Sequence, residues 1–199
     1  MTITTLFAMF SFSLAMSISP GPVNMMIISS GINHGVKKTM PFVSGATIGF
    51  TLLLVMIGFG LMNILNVYPS LLHYIEVSGA IFIIYMGYKI ATSISDLSTS
   101  NNDKKTLKFH EGFLLQWLNP KAWIACVSGV SMFVSSTSTF VVFVIIYFVV
   151  CYLSLSIWGV LGQKMTKFLN TPIRLKAFNI LMGGILIFSA SSLIIIKII

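Results

Sequence analysis

The sequence predicts an all-α integral membrane protein: six transmembrane helices forming two inverted three-helix repeats, with helices one and four broken at proline motifs. Three observations carry that expectation. Of 199 residues, 56% are hydrophobic and only 8% are charged, where soluble domains carry about 25% charged residues. Mean hydropathy is +0.97, so polar side chains are too few to cover a water-soluble globule. The charge-free runs are long enough for spans of ~20 apolar residues each. Finally, two of these runs are interrupted by proline in matching places.

The spans follow in order. No charge occurs from Met1 to His34, Thr39 to Ile75, Ala122 to Gln163 or Ala177 to Ile196. The first helix reads as Thr4 to Gly31, broken by Ser19-Pro20-Gly21-Pro22. The second runs from Met40 to Leu65, before the turn-like Asn66-Val67-Tyr68-Pro69, and the third from Ser70 to Ser93. A polar stretch over 95–110, rich in Ser, Thr, Asn, Asp and Lys, reads as the one substantial loop. The fourth helix spans Glu111 to Phe133 and carries Asn119-Pro120-Lys121 inside it. Ser135-Ser136-Thr137-Ser138 precedes the fifth, Thr139 to Leu161, and the sixth runs from Leu175 to Lys197. The whole chain, 1–199, then forms one transporter-like domain, with repeat one over 1–94 and repeat two over 111–199. The first segment lacks a basic leader and a clean cleavage site, so it reads as a span and not as a signal peptide.

Ten of the twelve Lys and Arg residues fall in odd-numbered connections: Lys37, Lys38, Lys89, Lys104, Lys105, Lys108, Lys164, Lys167, Arg174 and Lys176. The even connections have none. Basic residues mark cytoplasmic loops, so both termini are expected outside. The net charge of +8 and pI near 9.7 are accounted for by this asymmetry, and no basic run resembles a nucleic-acid tract.

Proline inside a helix removes a backbone hydrogen bond and clashes with the preceding turn. Such breaks survive in a bilayer where they line a cavity or are buried in protein. Overlaying Pro22 on Pro120 also aligns Ser30 with Ser128 and Gly31 with Gly129. Three helices per half make the halves inverted, and paired broken helices in inverted halves point to a transporter site.

Ser19-Pro20-Gly21-Pro22, a glycine-rich second helix (Gly45, Gly49) and Gly79-Ala80 leading to Tyr85-Met86-Gly87 recur in one order. Gly112-Phe113 and Asn119-Pro120-Lys121-Ala122 follow them. This arrangement resembles the LysE/RhtB family of bacterial amino-acid exporters over essentially the whole chain. Ser29-Ser30, His34-Gly35 and the stretch from Lys89 to Ser93 look most like its cysteine and O-acetylserine exporters. The resemblance implies an inner-membrane location, outward movement of small neutral amino acids (cysteine/O-acetylserine-like or homoserine/threonine-like) and a homodimer. From the residues themselves, no cofactor, no enzymatic activity and no nucleic-acid partner is expected.

Lys121 stands ~15 Å into the fourth helix at 1.5 Å per residue. A charge at that depth is by default a functional candidate: it either holds a substrate carboxylate, changes protonation during the cycle, or snorkels toward an interface. A half-helix restarting at Pro22 presents free N–H groups and a positive dipole end suited to a carboxylate. Asn24 and Asn119 beside the two breaks either touch substrate or cap freed backbone groups. Gln116, one turn before Pro120, is a candidate polar cavity residue. Glu76, the only acid within an expected span, either carries a coupling proton or pairs with a substrate amine, or else sits at the interface. His34 and His73 fall at span ends and read as solvated. Gly45, Gly49, Gly58 and Gly60 are expected to allow close helix packing.

Other function classes fit less well. A thiol–disulfide electron carrier would use Cys126 and Cys151, but there is no Cys-x-x-Cys and neither lies beside a helix break in sequence. An intramembrane hydrolase lacks His-Glu-x-x-His and Gly-x-Ser-x-Gly. A divalent-cation exporter would need acids or Cys/His clusters that the spans do not contain.

Overall fold

Proline and glycine decide where the helices stop. The computed structural model describes residues 1–60, 67, 69–92, 106–169 and 171–198. Within its helices, the side chains at 69, 71–73, 75, 76, 189 and 192–198 lie outside the description. Glu76, His73 and Lys197 therefore fall outside it as side chains, as do Asp96, Asp103, Lys104 and Lys105 of the polar stretch.

Eight α-helices are present among the described residues: α1 (Ile3–Ile18), α2 (Pro22–His34), α3 (Val36–Gly58), α4 (Pro69–Ala91), α5 (Phe109–Trp117), α6 (Pro120–Phe133), α7 (Thr137–Met165) and α8 (Pro172–Ile198). Pro22 and Pro120 each open a helix, where the missing N–H costs nothing and the fixed φ suits the first turn. The expected first span is thus α1 and α2, bent by 61° at the break. The expected fourth span is α5 and α6, separated at Leu118 and Asn119.

By length and hydropathy α3 and α7 can each cross a bilayer, and the bent α1–α2 pair supplies a third span. Gly35, at φ 78, turns the chain directly from α2 into α3, so the second helix starts at Val36 and not at Met40. A positive φ is easy only for glycine.

The helices on either side of each proline break pack on one long helix. Both α1 and α2 pack on α7, while α5 and α6 both pack on α3; α3 also meets α7, and α4 meets α8. Small residues permit these crossings. A Cβ on Gly49 would stand 2.7 Å from the Phe113 carbonyl oxygen, and Gly45 meets the backbone of Phe109 as closely. Gly87 and Gly183 do the same between α4 and α8, where a Cβ on Gly87 would lie 2.9 Å from the Gly183 oxygen. Gly58 accommodates the Phe140 ring. Gly60 has φ 98 just past the end of α3 and belongs to a turn. Gly31 and Gly129, aligned in sequence, both face α7, through Gly159 and Phe143 respectively.

One end of the molecule gathers the basic ends of the helices. The Val36 N–H donates to Gln163 Oε1 at 2.7 Å, Lys89 pairs with Glu111, and Asn33 bonds Asn179. These contacts bring the α2–α3 junction, the ends of α4 and α7 and the starts of α5 and α8 together. Lys37, Lys38, Lys108, Lys164, Lys167, Arg174 and Lys176 lie at this same end of their helices.

Candidate functional site at the two helix breaks

Breaking a helix frees four carbonyls and four N–H groups on the two sides of the gap, and inside a membrane protein each needs a partner. At the end of α1 every carbonyl from Ala15 to Pro20 has one. The Ser19 N–H donates to Ala15 O at 3.2 Å. Ser19 Oγ donates to Met16 O at 3.2 Å, and Asn24 Nδ2 to Ser17 O at 3.0 Å. Trp158 Nε1, from α7, reaches Ile18 O at 3.2 Å.

Lys121 supplies the last donors. Its Nζ lies 2.6 Å from Ser19 O, 2.8 Å from Ser19 Oγ and 3.4 Å from Pro20 O. Three acceptors match the three N–H bonds of an ammonium. The charge is therefore held by the backbone and hydroxyl of the opposite break. Gly21 leaves room for this reach, since a Cβ there would come within 3.1 Å of Lys121 Cδ and 3.3 Å of Nζ.

The two helix starts differ. Asn119 Oδ1 accepts from the Lys121 N–H at 3.1 Å and caps α6. Trp123 Nε1 satisfies Trp117 O at 2.7 Å. Gly21, by contrast, has no side chain to cap α2. The first-turn N–H groups of Val23 and Asn24 are left without a side-chain partner, at the positive end of a 13-residue helix.

Between the breaks lies a cavity of about 30 Å³, lined by Ser17, Val23, Asn24, Gln116, Asn119, Lys121, Tyr147 and Cys151 among others. That is room for one or two waters. Asn24, Gln116 and Asn119 are buried. Asn24 and Asn119 are engaged in capping, whereas no described residue bonds the Gln116 amide. Ser17 Oγ is buried without a partner and faces the same space. Thr47 and Ser154, on α3 and α7, also bury unpartnered hydroxyls.

The structure thus brings Ser19, Pro20, Gly21, Pro22, Asn24, Gln116, Asn119, Pro120 and Lys121 to the two facing breaks, with Asn24, Gln116, Asn119 and Lys121 lining the cavity itself. Sequence reasoning missed Ser17, Tyr147 and Trp158, and weighed Cys151 only as a redox thiol. Cys151 stands at the cavity although it is far from either break in sequence; both cysteines are buried free thiols. Tyr147 and Cys151 are one helical turn apart, the only pattern that sets them on one face. His34 is half-buried at a second cavity and not simply solvated.

Two further openings lie toward opposite ends. A cavity of about 40 Å³ at the basic end is lined by Met26, Ser29, Ser30, Asn33, His34 and Lys89 among others. A cleft of about 520 Å³ at the other end is rimmed by hydroxyls of Thr2, Thr5, Ser135, Ser136, Ser138 and Thr139. Among the described residues no cluster of His, Cys, Asp and Glu is suited to a metal.

Apolar helices of membrane length, one candidate span bent at its proline break and a second proline-opened helix facing it across a buried polar cavity, define a membrane transporter. The chain belongs to the LysE type translocator family, whose pattern matches residues 14–197. It is 28% identical over 134 residues to cysteine/O-acetylserine efflux proteins of Escherichia coli K12 and Shigella sonnei, covering 67% of this chain and 68% of each relative. A cysteine/O-acetylserine efflux protein of Escherichia coli O6:K15:H31 matches to the same extent. No solved structure matches the chain significantly.

Proposed function

We propose that this protein exports a small neutral amino acid across the bacterial inner membrane by alternating access, with cysteine and O-acetylserine as first substrates and homoserine or threonine as the next class. The observation that carries the reading is the Lys121 ammonium seated on the Ser19 and Pro20 carbonyls beside an uncapped helix start.

A zwitterion presents an ammonium and a carboxylate a few ångströms apart. The Ser19 and Pro20 carbonyls suit the ammonium, as their present occupant illustrates. Lys121 and the free N–H groups of Val23 and Asn24 suit the carboxylate. Substrate therefore binds by exchange: its ammonium takes the carbonyls and Lys121 turns to its carboxylate. Gln116 and Ser17 Oγ, both with unused bonding capacity, meet a short polar side chain. The cavity holds only water-sized occupants as it stands, so binding requires the helices to separate. That is the closed stage of an alternating-access cycle.

The swapped packing, with α1 and α2 on α7 and with α5 and α6 on α3, supports two inverted three-helix repeats and six spans. At 1.5 Å rise, helices of 23 and 27 residues such as α4 and α8 are also long enough to cross ~30 Å of hydrocarbon. The gathered basic ends support a cytoplasmic assignment for that face, and with it the proposal that both termini lie outside. Glu76 is the proposed coupling group, and a homodimer is the proposed assembly.

The test is to express the chain in a bacterium and measure every amino acid in the medium against an empty vector. A selective rise in cysteine, O-acetylserine, homoserine or threonine is expected. An unchanged medium at verified membrane expression overturns the assignment.

A further inference from the structure

Helix α2 borders two separate cavities. Val23 and Asn24, in its first turn, line the central one. Met26, Ser29, Ser30 and Asn33 line the second, at the basic end. Asn24 and Ser29 are five residues apart, about 7.5 Å along the axis, and Met26 and Ile27 between them are fully buried. Five residues also turn the helix by about 140°, so α2 presents Asn24 to the central cavity and Ser29, Ser30 and Asn33 to the second from different faces, with buried Met26 and Ile27 between them.

The second cavity ends at a charge pair. Lys89, at the last turn of α4, bonds Glu111 of α5, with only 24% and 13% of their side chains exposed. Glu111 Oε2 also accepts from the Lys108 N–H at 2.8 Å. Lys89 itself lines the cavity. On the α2 wall, Asn33 Nδ2 donates to Ser29 O at 2.8 Å and Asn179 Oδ1 at 3.1 Å, and Asn179 Nδ2 returns a bond at 3.3 Å. The amides are therefore held in fixed orientation. A half-buried pair of opposite charges beside oriented amides and hydroxyls has the complement of a zwitterion: one cation, one anion and neutral polar groups between.

We propose that the cavity beneath the Lys89–Glu111 pair is a second, cytoplasmic loading site for the zwitterionic amino acid, which binds by taking its carboxylate to Lys89 and its ammonium to Glu111. This rests on the export reading above. Opening one internal ion pair to form two with the ligand conserves charge pairing and moves Lys89 out of the cavity, which makes room. Met26 then separates a loaded outer site from the central one. The pair has a structural consequence as well, since it ties α4 to α5 while the site is empty.

The experiment is equilibrium binding of radiolabelled L-cysteine, held reduced, to purified protein in lipid nanodiscs, with stoichiometry read at saturation. Wild type is expected to bind two per protomer. Lys89→Met and Glu111→Gln are each expected to bind one, and Lys121→Ala to bind one through the remaining site. The exchange variant carrying Lys89→Glu and Glu111→Lys restores the ion pair but reverses it against Ser29 and Asn33, and it too is expected to bind one. One cysteine per wild-type protomer overturns the proposal and leaves the export reading intact. Two in the folded single or exchange variants also overturn it. If wild type binds neither cysteine nor competing O-acetyl-L-serine, both readings fall together. The wild-type stoichiometry decides even where a variant does not fold.

Discussion

Lys121 Nζ lies 2.6 Å from the carbonyl oxygen of Ser19, 102 residues away in the chain, so the break between α1 and α2 is completed by a side chain from the other break. The cation satisfies carbonyls that Pro20 and Pro22 leave without their helical donors. In return those carbonyls give a membrane-buried ammonium its only described partners. This mutual dependence makes the two breaks one site, and it makes the site responsive to any ligand that offers an ammonium or a carboxylate.

Asn119 and Asn24 have different jobs from Lys121, and substitution separates them. Asn119 caps α6 through the Lys121 N–H, and losing such a cap costs about 1 kcal/mol. Asn119→Ala is expected to lower the thermal unfolding temperature in detergent while leaving measurable transport. Asn24→Ala removes the donor to Ser17 O and adds space at the cavity, so its expected effect falls on KM as well as stability. Equal stability of Asn119→Ala and wild type would contradict the cap.

Helix crossings built on glycine tolerate no side chain. Gly49→Val is expected to prevent accumulation of folded protein, because its Cβ meets the Phe113 backbone at 2.7 Å. Gly184→Ala, with nothing within 4 Å of the added carbon, is expected to behave as wild type. Fluorescence-detected size exclusion of both variants reads the difference directly.

Cys151 reports on opening of the cavity. It is buried at 3% exposure in the closed arrangement, yet it lines the central space. In a Cys126→Ser background a small methanethiosulfonate reagent is expected to label Cys151 slowly, and saturating substrate is expected to change that rate severalfold. A rate indifferent to substrate places Cys151 outside the transport path. Retained export in the variant lacking both thiols removes the electron-carrier reading.

Much of the fold was legible because proline and charge act locally. Pro22 and Pro120 mark helix starts wherever they occur, and the basic connections mark one end of the bundle. The helix boundaries at Ile3, Phe133 and Pro172 lie within a few residues of the sequence reading. The convergence of the breaks was not legible, since no local rule says that a lysine one residue after Pro120 reaches Ser19. Ser17 and Tyr147 escaped notice for a related reason, and Cys151 was weighed only as a redox thiol and not as a cavity residue. Helix α7 is apolar nearly all round, so periodicity does not distinguish its cavity face from a lipid face, and in α1 Ser17 is one of several hydroxyl residues along the helix. The turn at Gly60 was not legible, because glycine serves both packing and turns and only its φ of 98 reveals the second use.

The most direct test of the account is the rate at which proteoliposomes loaded with radiolabelled O-acetyl-L-serine or L-cysteine lose label, compared between wild type and Lys121→Ala at equal reconstituted amount. The account predicts rapid loss with wild type and at least tenfold slower loss, near that of protein-free liposomes, with Lys121→Ala. Equal rates for the two proteins would contradict it.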